Sequence, residues 1–132
     1  MDPPPQPPAI LIVDDDPDIL ALLRFLLHNL APTYDVLTAA DGPRALAYLA
    51  GRPITLLITD YMMTPMNGLQ LTAAVKAASP TTHVIMITAY SSALLEQRAR
   101  AERVDTFLAK EAMFDLKDVV RRVLGLPVQT ED

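Results

Sequence analysis

The sequence predicts an α/β domain, an open five-stranded parallel sheet flanked by five helices. Three observations carry this. Short apolar runs rich in branched residues alternate with longer segments of helical period, and no internal repeat is present. The run ITLLIT shows almost no polar alternation, as expected for a strand covered by helices on both faces. Each strand candidate is followed by a segment long enough for a helix, the right-handed crossover that parallel neighbours require.

The elements follow in order. MDPPPQPP, residues 1–8, carries too much proline for a helix or a central strand and reads as an extended tail. Ala9–Val13 is the first strand. Asp16 with Pro17 reads as an N-cap with proline at the first helical position, opening a helix through about Leu30 whose stripe is Ile19, Leu22, Leu23, Leu26, Leu27 and Leu30. Tyr34–Ala39 is the second strand. Asp41-Gly42-Pro43 starts a helix that Gly51 and Pro53 stop, and Ile54–Thr59 is the third strand. The loop YMMTPM leads to Asn67-Gly68 and a helix ending near Ser79-Pro80. His83–Thr88 is the fourth strand, Ser91 or Ser92 caps a helix to about Glu102, and Val104–Ala109 is the fifth strand. Asp115 is expected to cap a last helix ending near Gly125 and Pro127, which leaves residues 127–132 as a tail or the start of a linker.

With 132 residues and 51% hydrophobic content, the chain suits one domain with a substantial core, over residues 9–126. Its net charge of -5 is uneven: residues 1–66 hold eight Asp and three Arg, whereas residues 67–132 hold eight acids and eight bases. An acidic balance offers no basic face for phosphates, so direct nucleic-acid binding is not expected. The absence of cysteine removes disulfides and thiolate chemistry. There is no signal-like N-terminus and no apolar run near the roughly 20 residues of a spanning helix, so a cytoplasmic protein off the membrane is the default expectation.

In open parallel sheets, sites form outside the carboxyl ends of the strands. There the sequence places Asp14, Asp15 and Asp16 after strand one, Asp60 after strand three, Thr88 at the end of strand four and Lys110 after strand five. Singly, each has an ordinary reading: cap, loop acid, turn residue, end of a β-branched run, surface amine. Together on one edge they point elsewhere. Two unit charges about 4 Å apart repel by roughly 4 kcal/mol at an effective dielectric of about 20, so clustered carboxylates call for a cation. Oxygen ligands suit Mg²⁺. An aspartate beside it can act as a nucleophile towards phosphorus, with Lys110 neutralising charge and Thr88 donating a hydrogen bond.

These residues lie in the stretches ILIVDDDPDIL, LLITDYMMTPMNGLQL, VIMITAY and FLAK. In that order and spacing the chain resembles the receiver domain of two-component response regulators, over about residues 9–126. The resemblance implies a flavodoxin-like (βα)5 fold with strand order 2-1-3-4-5. It implies that Asp60 is the phosphoacceptor, that Asp14, Asp15, Asp60 and the backbone carbonyl of Met62 hold Mg²⁺, and that Thr88 and Lys110 contact the phosphoryl group. Phe107 falls at the family's aromatic switch position. The resemblance further implies a sensor histidine kinase or phosphotransfer protein as donor, or a small acyl phosphate. It implies a downstream protein effector, and a face of helix four, strand five and helix five that switches and can form a homodimer. The domain is then a self-phosphorylating acceptor rather than an enzyme. Met62 and Tyr90, each two residues beyond a site residue, stand where family side chains line the approach of hydrolytic water; both are bulky, which implies slow loss of phosphate.

Three departures from the family pattern stand out. Thr64 replaces a usual proline, with Pro65 next. Glu111 replaces the proline after the lysine, where the family bond is often cis; a non-proline cis bond costs about 2.5–4 kcal/mol, so a trans bond and a displaced Lys110 or helix-five start are expected. Arg103-Val104 replaces a Gly-Ala pair, so the turn after helix four is expected to lack its left-handed glycine. Two rivals are a receiver-like docking module that takes no phosphate, and a phosphatase with Asp14 as nucleophile and Asp16 beside it. His28 and His83 lack metal-ligand spacing, Met62, Met63 and Met66 read as loop packing, and Arg98, Arg100 and Arg103 read as a solvated helix face.

Overall fold

The computed structural model describes residues 6–30, 34–90 and 92–127. Five parallel strands, β1 (Ala9–Val13), β2 (Asp35–Ala39), β3 (Ile54–Asp60), β4 (His83–Thr88) and β5 (Thr106–Ala109), form one sheet in the order β2-β1-β3-β4-β5. Between and after them run α1 (Pro17–Leu26), α2 (Gly42–Gly51), α3 (Gly68–Ala78), α4 (Ala93–Ala101) and α5 (Leu116–Leu124). The expected fold class and strand order are the observed ones.

The sheet divides two apolar layers. Leu11, Val13, Leu57 and Val84 pack on one side with Leu71 and Val75 of α3. Ile10, Ile12, Ile58 and Ile85 pack on the other with Leu23 and Leu27 of the α1 segment and Leu116 and Val120 of α5. Successive strand residues thus enter opposite layers, and β1 is buried along its whole length, which is why its sequence has no polar alternation.

The local signals for helix starts hold. Asp16, Asp41 and Ser92 accept the amides of Asp18, Arg44 and Leu95, and Asn67 forms a capping box with Gln70. Ser91, the alternative cap, lies outside the described residues. α1 ends at Leu26 rather than Leu30, because the chain tightens at Leu27, whose amide meets the carbonyls of Leu23 and Arg24. Leu27 and Leu30 remain buried, so the apolar stripe outlasts the helix. β2 starts one residue later than expected and β5 two residues later.

The largest correction is at the last helix. Asp115 makes no capping bond; a 3₁₀ segment over Lys110–Asp115 precedes α5 and supplies its entry. The helix does end at Gly125, which is left-handed at φ 70°. At the tail, Pro8 carbonyl accepts the Asp35 amide and Pro7 carbonyl accepts the Arg52 guanidinium, which also pairs with Asp35 at 3.1 Å. Residues 7 and 8 are therefore tied down; residues 1–5 and 128–132 lie outside the described residues. Among the described residues no helix is long and apolar enough to cross a membrane.

The turn after α4 is left-handed without glycine. Arg103 has φ 66°, and the amides of Arg103 and Val104 return to the carbonyls of Arg100 and Ala99. Next to it, Asp105 accepts the Val84 amide at 2.7 Å and lies 3.5 Å from the buried Lys76 ammonium, which donates to the Thr82 carbonyl. His83 opens β4, with Nδ1 3.7 Å from Asp105. His28 stacks on Phe25 beyond the end of α1.

Candidate functional site

Strand register assembles the site. Val13 pairs with Thr59, which sets Asp14 beside Asp60 at adjoining strand ends. Asp60 pairs with Ile87, and Thr88 with Ala109, so Thr88 and Lys110 follow along the same edge. Four separate segments thus converge because parallel strands present all their carboxyl ends together.

Asp14, Asp15 and Asp60 each offer a carboxylate oxygen, and these lie within 4.8 Å of one another. Asp14 and Asp60 are buried, and Asp15 is exposed at the mouth. Asp14 Oδ1 accepts the Asp16 amide at 2.9 Å, and Asp60 Oδ1 accepts the Tyr61 amide at 2.8 Å. Asp16 itself faces the helix, accepting the Asp18 amide, and is not part of the cluster.

The electrostatics match this crowding. Burial pushes the Asp14 carboxyl up to about 6; the Asp16 amide and Lys110 oppose the rise, and the charges of Asp60 and Asp15 add to it. Burial likewise raises Asp60, with Lys110 and the amides of Tyr61 and Met62 opposing and Asp15 adding. The Lys110 ammonium lies 3.8 Å from Asp60 Oδ2, the one cation paired with the cluster among the described residues. Hard oxygen donors, two of them buried where ionisation is disfavoured, form a donor set that fits a divalent cation such as Mg²⁺.

Thr88 is buried, and its hydroxyl oxygen accepts the Tyr90 amide at 3.0 Å, which leaves the hydroxyl hydrogen free to donate. Glu111 does not displace Lys110 from the site: the bond between them is trans, and the backbone turns directly into the 3₁₀ segment. Helix five begins at Leu116, after the 3₁₀ segment. The Thr64–Pro65 bond is cis. Phe107 is half-buried on β5, in a cavity of about 320 Å³ with Glu96, Ala99 and Arg100 of α4.

The methionines separate by role. Met63 is buried against Thr59 Oγ1 and Met66 packs on the core, as expected of loop packing, but Met62 is 53% exposed. Met62 and Tyr90, the latter 62% exposed, line one cleft beside Asp60. Sequence reasoning used Gly68 only to mark the start of a helix. Its amide donates to the Tyr61 carbonyl at 2.9 Å, and a Cβ there would stand 2.3 Å from the Asp60 carbonyl oxygen. The signal was present as a glycine opening a helix eight residues after an acid, but only the fold shows what it touches.

Comparison with known proteins agrees with this geometry. The response regulator receiver domain family matches residues 10–123. The transcriptional regulatory protein GlrR of Escherichia coli (strain K12) is 36% identical over 105 residues, covering 80% of this chain and 23% of that protein. The heme response regulator HssR of Staphylococcus haemolyticus is 34% identical over 117 residues, covering 85% of this chain and 51% of that protein. The chain thus spans about half or less of the length of these relatives. Among solved structures, the signal receiver domain of an HD domain-containing protein from Pseudomonas fluorescens superposes with a TM-score of 0.82 at 30% identity, covering 90% of this chain and 95% of that one. The Vibrio cholerae chemotaxis protein CheY4 gives 0.80 at 28% identity, covering 88% and 98%. Shared fold, strand-end chemistry and a family match over almost the whole sheet lead to one conclusion: this chain belongs to the response regulator receiver domain family.

Proposed function

We propose that Asp60 accepts a phosphoryl group, and that the domain is a phosphoacceptor switch rather than an enzyme acting on other molecules. The observation that carries this reading is one buried nucleophile, Asp60, with two further carboxylates within 4.8 Å and an ammonium at 3.8 Å. A carboxylate oxygen of Asp60 attacks phosphorus; the bond from phosphorus to the donor breaks, and the donor leaves with the electron pair. Lys110 pairs with the phosphoryl oxygens, and the free hydrogen of Thr88 donates to one of them.

Asp14, Asp15, Asp60 and the Met62 carbonyl would hold Mg²⁺, which when bound offsets charge on the carboxylates and the phosphoryl oxygens. The phosphoryl donor is a sensor histidine kinase, a phosphotransfer protein or a small acyl phosphate. Two relatives, TmoS and RcsC, are themselves sensor histidine kinases, 33% and 34% identical to this chain over the matched region. New bonds from Thr88 and Lys110 supply differential energy for the switch; moving a two-state equilibrium from 1:99 to 99:1 takes about 5.5 kcal/mol. Phe107, on β5 against α4, would carry that change to the face of α4, β5 and α5, where a protein effector or a second copy binds.

The exposed thioether of Met62 and the ring of Tyr90 offer no acid or amide to orient water, so phosphate loss is slow. Decay within seconds, unchanged by Met62→Asn or Tyr90→Glu, would contradict this. The principal test is acetyl phosphate with Mg²⁺, followed by mass spectrometry of the modified residue. Label at Asp60, lost in Asp60→Asn, is expected. Label at Asp14 would favour the phosphatase reading, and failure to bind beryllofluoride with Mg²⁺ would favour a docking module.

A further inference from the structure

Met62 and Tyr90 belong to a small apolar cleft beside the phosphoacceptor. It has a volume of about 240 Å³ and is lined by Tyr61, Met62, Tyr90, Leu94 and Arg98. Leu94 is 57% exposed, so three large apolar side chains meet solvent around one opening. Two links tie the cleft to the reacting centre. Tyr61 and Met62 directly follow Asp60, the Tyr61 amide donating to its carboxylate, and the Tyr90 amide holds the Thr88 hydroxyl. The cleft therefore adjoins the strand ends that carry Asp60 and Thr88.

We propose that this cleft is a subsite for the acyl chain of a small acyl-phosphate donor and selects short aliphatic chains over acetyl; this rests on Asp60 being the phosphoacceptor. The volume lies below the roughly 300–1,000 Å³ of pockets for drug-sized ligands and suits a chain of a few carbons. The walls are mostly apolar and include Arg98, a pairing that fits an aliphatic carboxylate. In the reaction, Asp60 oxygen bonds to phosphorus, the bond between phosphorus and the acyl oxygen breaks, and the carboxylate anion departs with the electron pair. No proton moves and charge balances.

Acetate, propionate and butyrate are leaving groups of nearly equal basicity, so differences among their phosphates report on the chain. Initial rates of Asp60 labelling are measured with acetyl, propionyl and butyryl phosphate in Mg²⁺ at concentrations that yield the second-order rate constant for labelling. Each added methylene is expected to raise that constant about two- to fourfold, the upper figure corresponding to full burial. Leu94→Ser and Tyr90→Ser alter exposed side chains, and each is expected to bring the butyryl-to-acetyl ratio towards one. A ratio of one or less in the unaltered protein overturns the subsite, as does a high ratio that survives both substitutions. Absence of Asp60 labelling by all three donors overturns the phosphoacceptor reading itself, and the subsite with it.

Discussion

Replacing Asp14 by asparagine is expected to stabilise the metal-free protein at neutral pH. Asparagine keeps an oxygen for the Asp16 amide, so the hydrogen bond at 2.9 Å survives while the charge is removed. A carboxyl raised from 3.8 to about 6 makes ionisation cost the folded state about 3 kcal/mol, at about 1.4 kcal/mol per pH unit. The sign follows from proton counting. Between these two values the folded state binds more protons than the unfolded one, so stability falls as pH rises through that window and the full penalty applies above about 6. Urea unfolding in chelator should therefore show Asp14→Asn more stable by about 2–3 kcal/mol at pH 8, with the gain vanishing below about pH 4. Added Mg²⁺ should stabilise the unaltered protein more than the variant, because the proposed site forms only in the fold and the variant lacks one of its carboxylates. Equal midpoints at pH 8, or a gain independent of pH, would refute the argument that Asp14 is held against its own charge.

Three further outcomes follow from other parts of the fold. Gly68→Ala places a Cβ against the Asp60 carbonyl at 2.3 Å; it should cost about 1–3 kcal/mol in urea unfolding and slow Asp60 labelling, whereas an unaffected labelling rate would show that the strand end is not held there. Arg103→Gly relieves a left-handed residue at φ 66° and should raise stability by about 1 kcal/mol; a loss of stability would contradict it. Asp105→Ala removes the partner of buried Lys76 and the acceptor of the Val84 amide, so it should destabilise by about 3 kcal/mol, and a change below about 1 kcal/mol would mean the ammonium is satisfied by Thr82 alone.

How much was legible in the sequence depended on the range of the interaction. The order of elements, the caps at Asp16, Asp41, Asn67 and Ser92, and the stop at Gly125 were readable because each involves residues within a few positions of one another. The strand ends were readable for a related reason: in a parallel sheet one rule locates them all, so Asp14, Asp60, Thr88 and Lys110 could be grouped before any distance was known. Asp115 shows where local reading failed. Its position before an apolar run looks like a cap, but the 3₁₀ segment over Lys110–Asp115 already carries the chain into α5. At Arg103 the turn lacks glycine as expected, but its left-handed form, kept despite a side chain that disfavours it, was not legible.

By itself the sequence determined the sheet, the helices and the identities of the residues brought to one edge, because hydrophobic period and capping chemistry are written in neighbouring positions. Only the tertiary structure decided that Asp14 and Asp60 are buried while Asp15 is exposed, that Lys110 still reaches Asp60 without a following proline, and that Gly68 stands against the Asp60 carbonyl. Each of these depends on distances between segments remote in the chain, and such distances arise only when the two apolar layers close on the sheet.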